Sequence, residues 1–95
     1  MTSTVDNMQR KLFTPDDQIL ILLLERGEKT NTEVARLLGH TEPYISRELT
    51  LLSMAGLVTR RRTAGETFNA LTPKGVKIAE KFQQAMTLWQ RGPET

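Results

Sequence analysis

The sequence predicts a mainly α fold with a small β-hairpin, in the order helix, helix, helix, strand, strand, helix, the last helix being long. Three observations predict it. Helix-opening signatures stand at "TPDD", "TNTE", "HTEP" and "LTPK". Each is followed by apolar residues at helical spacing. Between Gly56 and Thr72 the periodicity changes to two β-compatible runs, "LVTRRR" and "TFNAL", separated by the turn-forming "TAGE".

Taken in order, Thr14 is a good N-cap, Pro15 fits the first helical position, and Asp17 falls where a capping box needs an acid. This first helix carries Ile19, Leu22 and Leu23 on one side and ends near Gly27. Thr30 and Glu33 have capping-box spacing and open the second helix, which stops at Gly39. Thr41 caps the third helix within a few residues of that glycine, and Pro43 lies in its first turn. Two helices across a tight glycine-containing turn form a helix-turn-helix. With the hairpin and a final helix from Pro73 to about Gln90, the order is that of a winged helix-turn-helix. Residues 1–13 read as a loose arm or short extra helix, 14–72 as the winged domain, 73–90 as the C-terminal helix and 91–95 as a tail.

A chain of 95 residues has room for one compact domain, near the lower limit of self-stabilisation, so a partner subunit is expected. The absence of cysteine excludes disulfides and thiolate metal sites and fits a cytoplasmic protein. "MTSTVDNMQRKLF" lacks the apolar stretch of a signal peptide, and "ILILLL" is far short of the ~20 residues a membrane span requires. The net charge of +2 says little about partners. Its distribution says more: Asp16, Asp17, Glu25 and Glu28 crowd the early chain, whereas Arg60, Arg61 and Arg62 are consecutive. That triplet suits either phosphate contact or a solvated hairpin surface.

A turn of ~100° per residue places Ile45, Leu49 and Leu52 on the core side of the third helix. Pro43, Arg47, Thr50 and Met54 lie opposite with Ser46 beside them, and Tyr44 and Leu51 fall on a flank. Pro43, Tyr44, Ser46, Arg47 and Thr50 are the expected base-reading residues. Arg can donate two bonds to guanine, hydroxyls are adaptable, and apolar groups meet the thymine methyl. The alternative is a surface helix whose Arg47 pairs with Glu48. Along the hairpin, Arg60 and Arg62 alternate with Arg61, so the triplet cannot point one way. Expected backbone or wing contacts are Arg60, Arg61, Arg62, Thr63 and Gly65, joined by Lys29, Thr30, Asn31 and Thr32 at the start of the second helix.

"TNTEVARLLGHTEPYISRELTLLSMAGLVTRR" resembles the helix-turn-helix and wing of small prokaryotic winged-helix transcription regulators, the group of the ArsR-like and MarR-like families. The residues that carry the resemblance are Ala35, Gly39, Ile45-Ser46-Arg47-Glu48-Leu49, Leu52, Gly56-Leu57-Val58 and the "LTPKG" after the hairpin. "TPDDQILILL" resembles the opening of haloarchaeal phage-repressor-like members, which implies an archaeal or viral source, although those proteins are acidic and this chain is basic. The resemblance implies binding of double-stranded DNA. It does not imply metal sensing, because the chain has no Cys and one His, His40.

No nucleophile–base constellation or phosphate-loop spacing is visible, so an enzyme is not expected, and neither is a cofactor or a metal. Asp16 and Asp17 are explained by charge complementarity at a helix start. In the last helix Ala79, Phe82, Met86 and Trp89 recur at three- and four-residue steps. With Leu12 and Phe13 they are the expected homodimer interface; the alternative is packing on the Ile19–Leu24 helix of the same subunit. The sequence thus points to a dimeric winged-helix regulator binding specific duplex DNA, a repressor in preference to an activator. The rival is a winged helix used as a protein-interaction module.

Overall fold

The computed structural model describes residues 13–91. Helix α1 spans Pro15–Arg26, strand β1 Lys29–Thr30, α2 Asn31–Leu38, α3 Glu42–Met54, β2 Val58–Thr63, β3 Glu66–Leu71 and α4 Pro73–Gln90. The expected order holds, with one element added. The two-residue β1 pairs antiparallel with β3, making a three-stranded sheet in the order β1-β3-β2. Two residues carry no periodicity, so "KT" reads in the sequence only as the approach to a helix cap.

Local chemistry sets the helix ends. Thr14 and Asp17 close a reciprocal capping box on α1, and Thr30 and Glu33 close another on α2. Thr41 accepts from the Tyr44 N–H and Thr72 from the Gly75 N–H, so each helix among the described residues begins on a threonine cap. Gly39 ends α2 in the left-handed region at φ 74°, which lets the chain reverse into α3 within three residues. The hairpin turns through Ala64 and Gly65, both at positive φ (51° and 79°), the two-residue turn whose twist matches that of the strands.

The core lies between α1, α2, α3 and the base of the sheet. Ile19, Leu20, Leu22 and Leu23 of α1 meet Val34 and Ala35 of α2, Ile45, Leu49 and Leu52 of α3, Val58 of β2 and Ala79 of α4. Ile45 and Leu49 are fully buried, and truncating either to alanine costs about 2–5 kcal/mol. Their burial leaves the opposite face of α3 outward. Helix α4 packs along α1, and its start is tied to the α3–β2 junction: Thr72 Oγ1 donates to the Gly56 carbonyl at 2.7 Å and the Thr72 N–H to the Leu57 carbonyl at 3.0 Å.

Candidate nucleic-acid interface

The outward face of α3 carries Pro43, Arg47 and Thr50, all exposed, with Ser46 half-buried beside them. Tyr44 is half-buried and held between two neighbours. The His40 ring lies 5.0 Å from it, and the Arg47 guanidinium sits over it at 5.5 Å. Arg47 also approaches Glu48 at 3.9 Å, yet its side chain stays 69% exposed. Such a surface pair is weak, so Arg47 can exchange Glu48 for a stronger acceptor.

Thr50 is held more firmly. Its hydroxyl donates to the Ser46 carbonyl at 2.8 Å and accepts from Arg60 Nη1. Arg60 belongs to a network that joins every element of the site. Its Nε donates to Asn69 Oδ1 at 3.0 Å and its Nη2 to Asn31 Oδ1 at 3.2 Å. Asn69, fully buried on β3, donates in turn to Asn31 Oδ1 at 2.8 Å and to the Lys29 carbonyl at 3.1 Å. The wing, the start of α2 and the middle of α3 are thereby locked together. Burial pushes the Arg60 guanidinium below the ordinary arginine range.

The hairpin arginines separate by strand alternation. Arg60 pairs across the ladder with Asn69, and Arg62 with Thr67. Both project on the side of the sheet that faces α3, with Arg62 exposed towards the tip and donating to Thr67 Oγ1 at 3.3 Å. Arg61 projects on the other side. It stacks over Phe68 at 4.9 Å and pairs with Glu28 at 3.1 Å. Thr63 and Gly65 are exposed at the tip.

Several expected contacts lie elsewhere. Thr30 is buried, and its hydroxyl accepts from the Glu33 N–H in the helix cap. The Asn31 carbonyl oxygen serves Arg60 and Asn69, and the Arg60 guanidinium is turned inward. Both act inside the domain first. Thr32 Oγ1 donates to Glu42 Oε1 at 2.7 Å, and Lys29 Nζ donates to the Arg26 and Glu28 carbonyls. What sequence reasoning missed is Asn69. Its signal was an asparagine, a poor strand former, in the middle of a strand run and two residues from the turn-distal end.

The expected dimer residues divide between the interior and the surface of the subunit. Ala79 is fully buried in the subunit core, Phe13 is buried, and Phe82 packs against the core, so the apolar stripe of α4 faces α1. Met86 and Trp89 are half-buried, and Leu12 lies outside the described residues. The outward face of α4 instead exposes Ile78, Ala85 and Leu88, with Lys74, Lys77 and Lys81 along its first half. Among the described residues, no cluster of three or more His, Cys, Asp or Glu could hold a metal ion. None of their helices is long and apolar enough to cross a membrane.

No protein-family model matches the sequence, and no curated protein matches it. Solved structures do match. MepR, a transcription regulator of the Staphylococcus aureus multidrug efflux pump MepA, aligns with a TM-score of 0.73 at 22% identity, over 92% of this chain and 68% of that one. A MarR family transcriptional regulator from Silicibacter pomeroyi aligns with a TM-score of 0.75 at 22% identity, over 90% and 63%. NadR, solved in complex with 4-hydroxyphenylacetate, aligns with a TM-score of 0.74 at 25% identity, over 92% and 64%. The chain thus spans about two thirds of the length of these three regulators. At this level of identity it is the architecture that is shared: among the described residues, four helices, the last of them long, and a three-stranded antiparallel sheet, the winged helix-turn-helix fold of MarR-like prokaryotic transcription regulators.

Proposed function

We propose that this chain binds double-stranded DNA in a sequence-specific manner and regulates transcription as a homodimer. The observation that carries the reading is the open face of α3, where Arg47, Ser46 and Thr50 stand beside an exposed wing cation, Arg62. Arg47 serves guanine, and Pro43 and Tyr44 border the groove, Tyr44 steadying Arg47 from below. Arg62, Thr63 and Gly65 meet the backbone or minor groove, and Lys29 and Thr32 add phosphate contacts by exchanging their internal partners, whereas Arg61 stays with Glu28 on the far side of the sheet. Repression is favoured over activation because occupying a promoter requires nothing beyond DNA binding, and the setting is the prokaryotic cytoplasm. Fluorescence anisotropy with a random duplex pool across a salt series tests this. The reading expects affinity to fall steeply with salt, and absent or salt-insensitive binding would contradict it.

Dimerisation rests on the end of α4, where Ala85 and Leu88 are exposed and Met86 and Trp89 half-buried. Lys74, Lys77 and Lys81 repel a second copy along the first half of the outward face, so contact belongs to the second half. Leu88→Glu should yield a monomer by sedimentation, and a wild-type monomer would refute the interface. The protein-interaction reading draws on one observation, the exposure of Leu51 and Met54 on the C-terminal half of α3.

A further inference from the structure

We propose that Thr50 reads a thymine through its methyl group, because Arg60 and the Ser46 carbonyl have already taken its hydroxyl. This rests on the duplex-binding reading and narrows it to one base and one chemical group.

A threonine hydroxyl has one proton to give and two lone pairs. The proton of Thr50 goes to the Ser46 carbonyl at 2.8 Å, and Arg60 Nη1 fills one lone pair. The major-groove acceptors, purine N7, guanine O6 and thymine O4, can therefore receive nothing from Thr50. An adenine or cytosine amino group finds only the last lone pair, next to a guanidinium whose charge repels the amino hydrogens. Arg60 is not free to leave. Asn69, fully buried, holds its Nε at 3.0 Å, and Asn31 holds its Nη2 at 3.2 Å. Thr50 is nonetheless exposed on the groove-facing side of α3. With the oxygen occupied, the Cγ2 methyl is what the residue has left to offer. Its apolar counterpart on a base edge is the 5-methyl of thymine. Arg60 is thus a positioning residue that acts through Thr50 and converts a versatile hydrogen-bonding side chain into an apolar one.

The test starts from the preferred duplex selected out of a random pool with the wild-type chain. Each thymine is then replaced, one at a time, by deoxyuridine, which differs only in lacking the methyl. One thymine in each half-site should weaken wild-type binding about fourfold when replaced, the worth of one buried methyl group. Thr50→Ser, which keeps the hydroxyl and loses the methyl, should bind the thymine and deoxyuridine duplexes equally. Thr50→Val, which keeps a methyl and loses the hydroxyl, should still distinguish them. If no replacement matters to the wild type, or if Ser retains the discrimination and Val loses it, the inference falls while DNA binding stands. A pool that yields no preferred duplex overturns the duplex-binding reading and this inference with it. The wild-type arm depends only on changes in the DNA, so poor folding of a variant does not affect it.

Discussion

Arg60 Nε donates to Asn69 Oδ1 at 3.0 Å, a half-buried cation held by a fully buried amide. Among the described residues the salt bridges belong to Arg47 and Arg61, so the Arg60 charge rests on neutral acceptors alone: two asparagine oxygens, a hydroxyl and a main-chain carbonyl. Removing the Asn69 side chain would take a donor from the Lys29 carbonyl and the acceptor from the Arg60 Nε–H. Asn69→Ala should therefore lower unfolding free energy by about 2–3 kcal/mol in urea titrations, well beyond a typical surface change. An effect under about 0.5 kcal/mol would mean that the network does not hold the wing.

A second prediction concerns pH. Asp16 does not share the capping role of its neighbour Asp17. One of its carboxylate oxygens is inaccessible and unpartnered, and the group faces Glu48 on α3. Burial first, then the Glu48 contact and the charges of Glu48 and Asp17, push its pKa from 3.8 up to about 6. The folded state then holds a proton that the unfolded chain has released, so this group's contribution to stability is full below about pH 4 and is lost as pH rises through 6. Asp16→Asn should remove that loss. Its unfolding free energy at pH 7 should exceed the wild-type value by about 1 kcal/mol, a figure reduced for solvent screening, and the gain should vanish near pH 4. Parallel thermal melts at the two pH values check the sign.

Gly75 presents a steric prediction. It is buried in the first turn of α4, and a Cβ there would run into the Leu57 carbonyl, the same oxygen that accepts from the Thr72 N–H. Backbone is a hard neighbour, so Gly75→Ala should force α4 away from the α3–β2 junction and cost about 3 kcal/mol or more. Calorimetry should show a large drop in melting temperature. A change of a degree or two would show that the junction yields.

The wing arginines should separate in DNA binding. Arg62 is on the α3 side of the sheet, whereas Arg61 is on the other side and paired with Glu28. Arg62→Ala should reduce the slope of log affinity against log salt by about 1, and Arg61→Ala should leave it nearly unchanged. The reverse order would place the duplex on the opposite face of the hairpin.

Most of the fold was legible because its signals are local. Threonine caps, capping boxes and Gly39 mark helix ends through neighbours three residues away, and Ile45, Leu49 and Leu52 announce their face by spacing. The site was legible only where a side chain projects freely, as Arg47 does. It was illegible where a polar residue has a distant partner. Arg60 and Asn31 are 29 residues apart, and Asn69 and Asn31 are 38 apart, so no window of sequence shows them meeting. The stripe on α4 has the same ambiguity in another form. Helical spacing identifies an apolar face but not its occupant, and for Ala79 and Phe82 the occupant is the subunit's own core.

The central claim, that α3 and the wing together form a duplex-binding surface, is tested most directly by titrating isotope-labelled protein with its selected duplex and following backbone amide shifts. The account predicts perturbations at Thr41 to Thr50 of α3 and at Arg62 to Glu66 of the hairpin, with the α4 face of Ile78, Ala85 and Leu88 unmoved. Shifts confined to α4, or none at any duplex concentration, would contradict it.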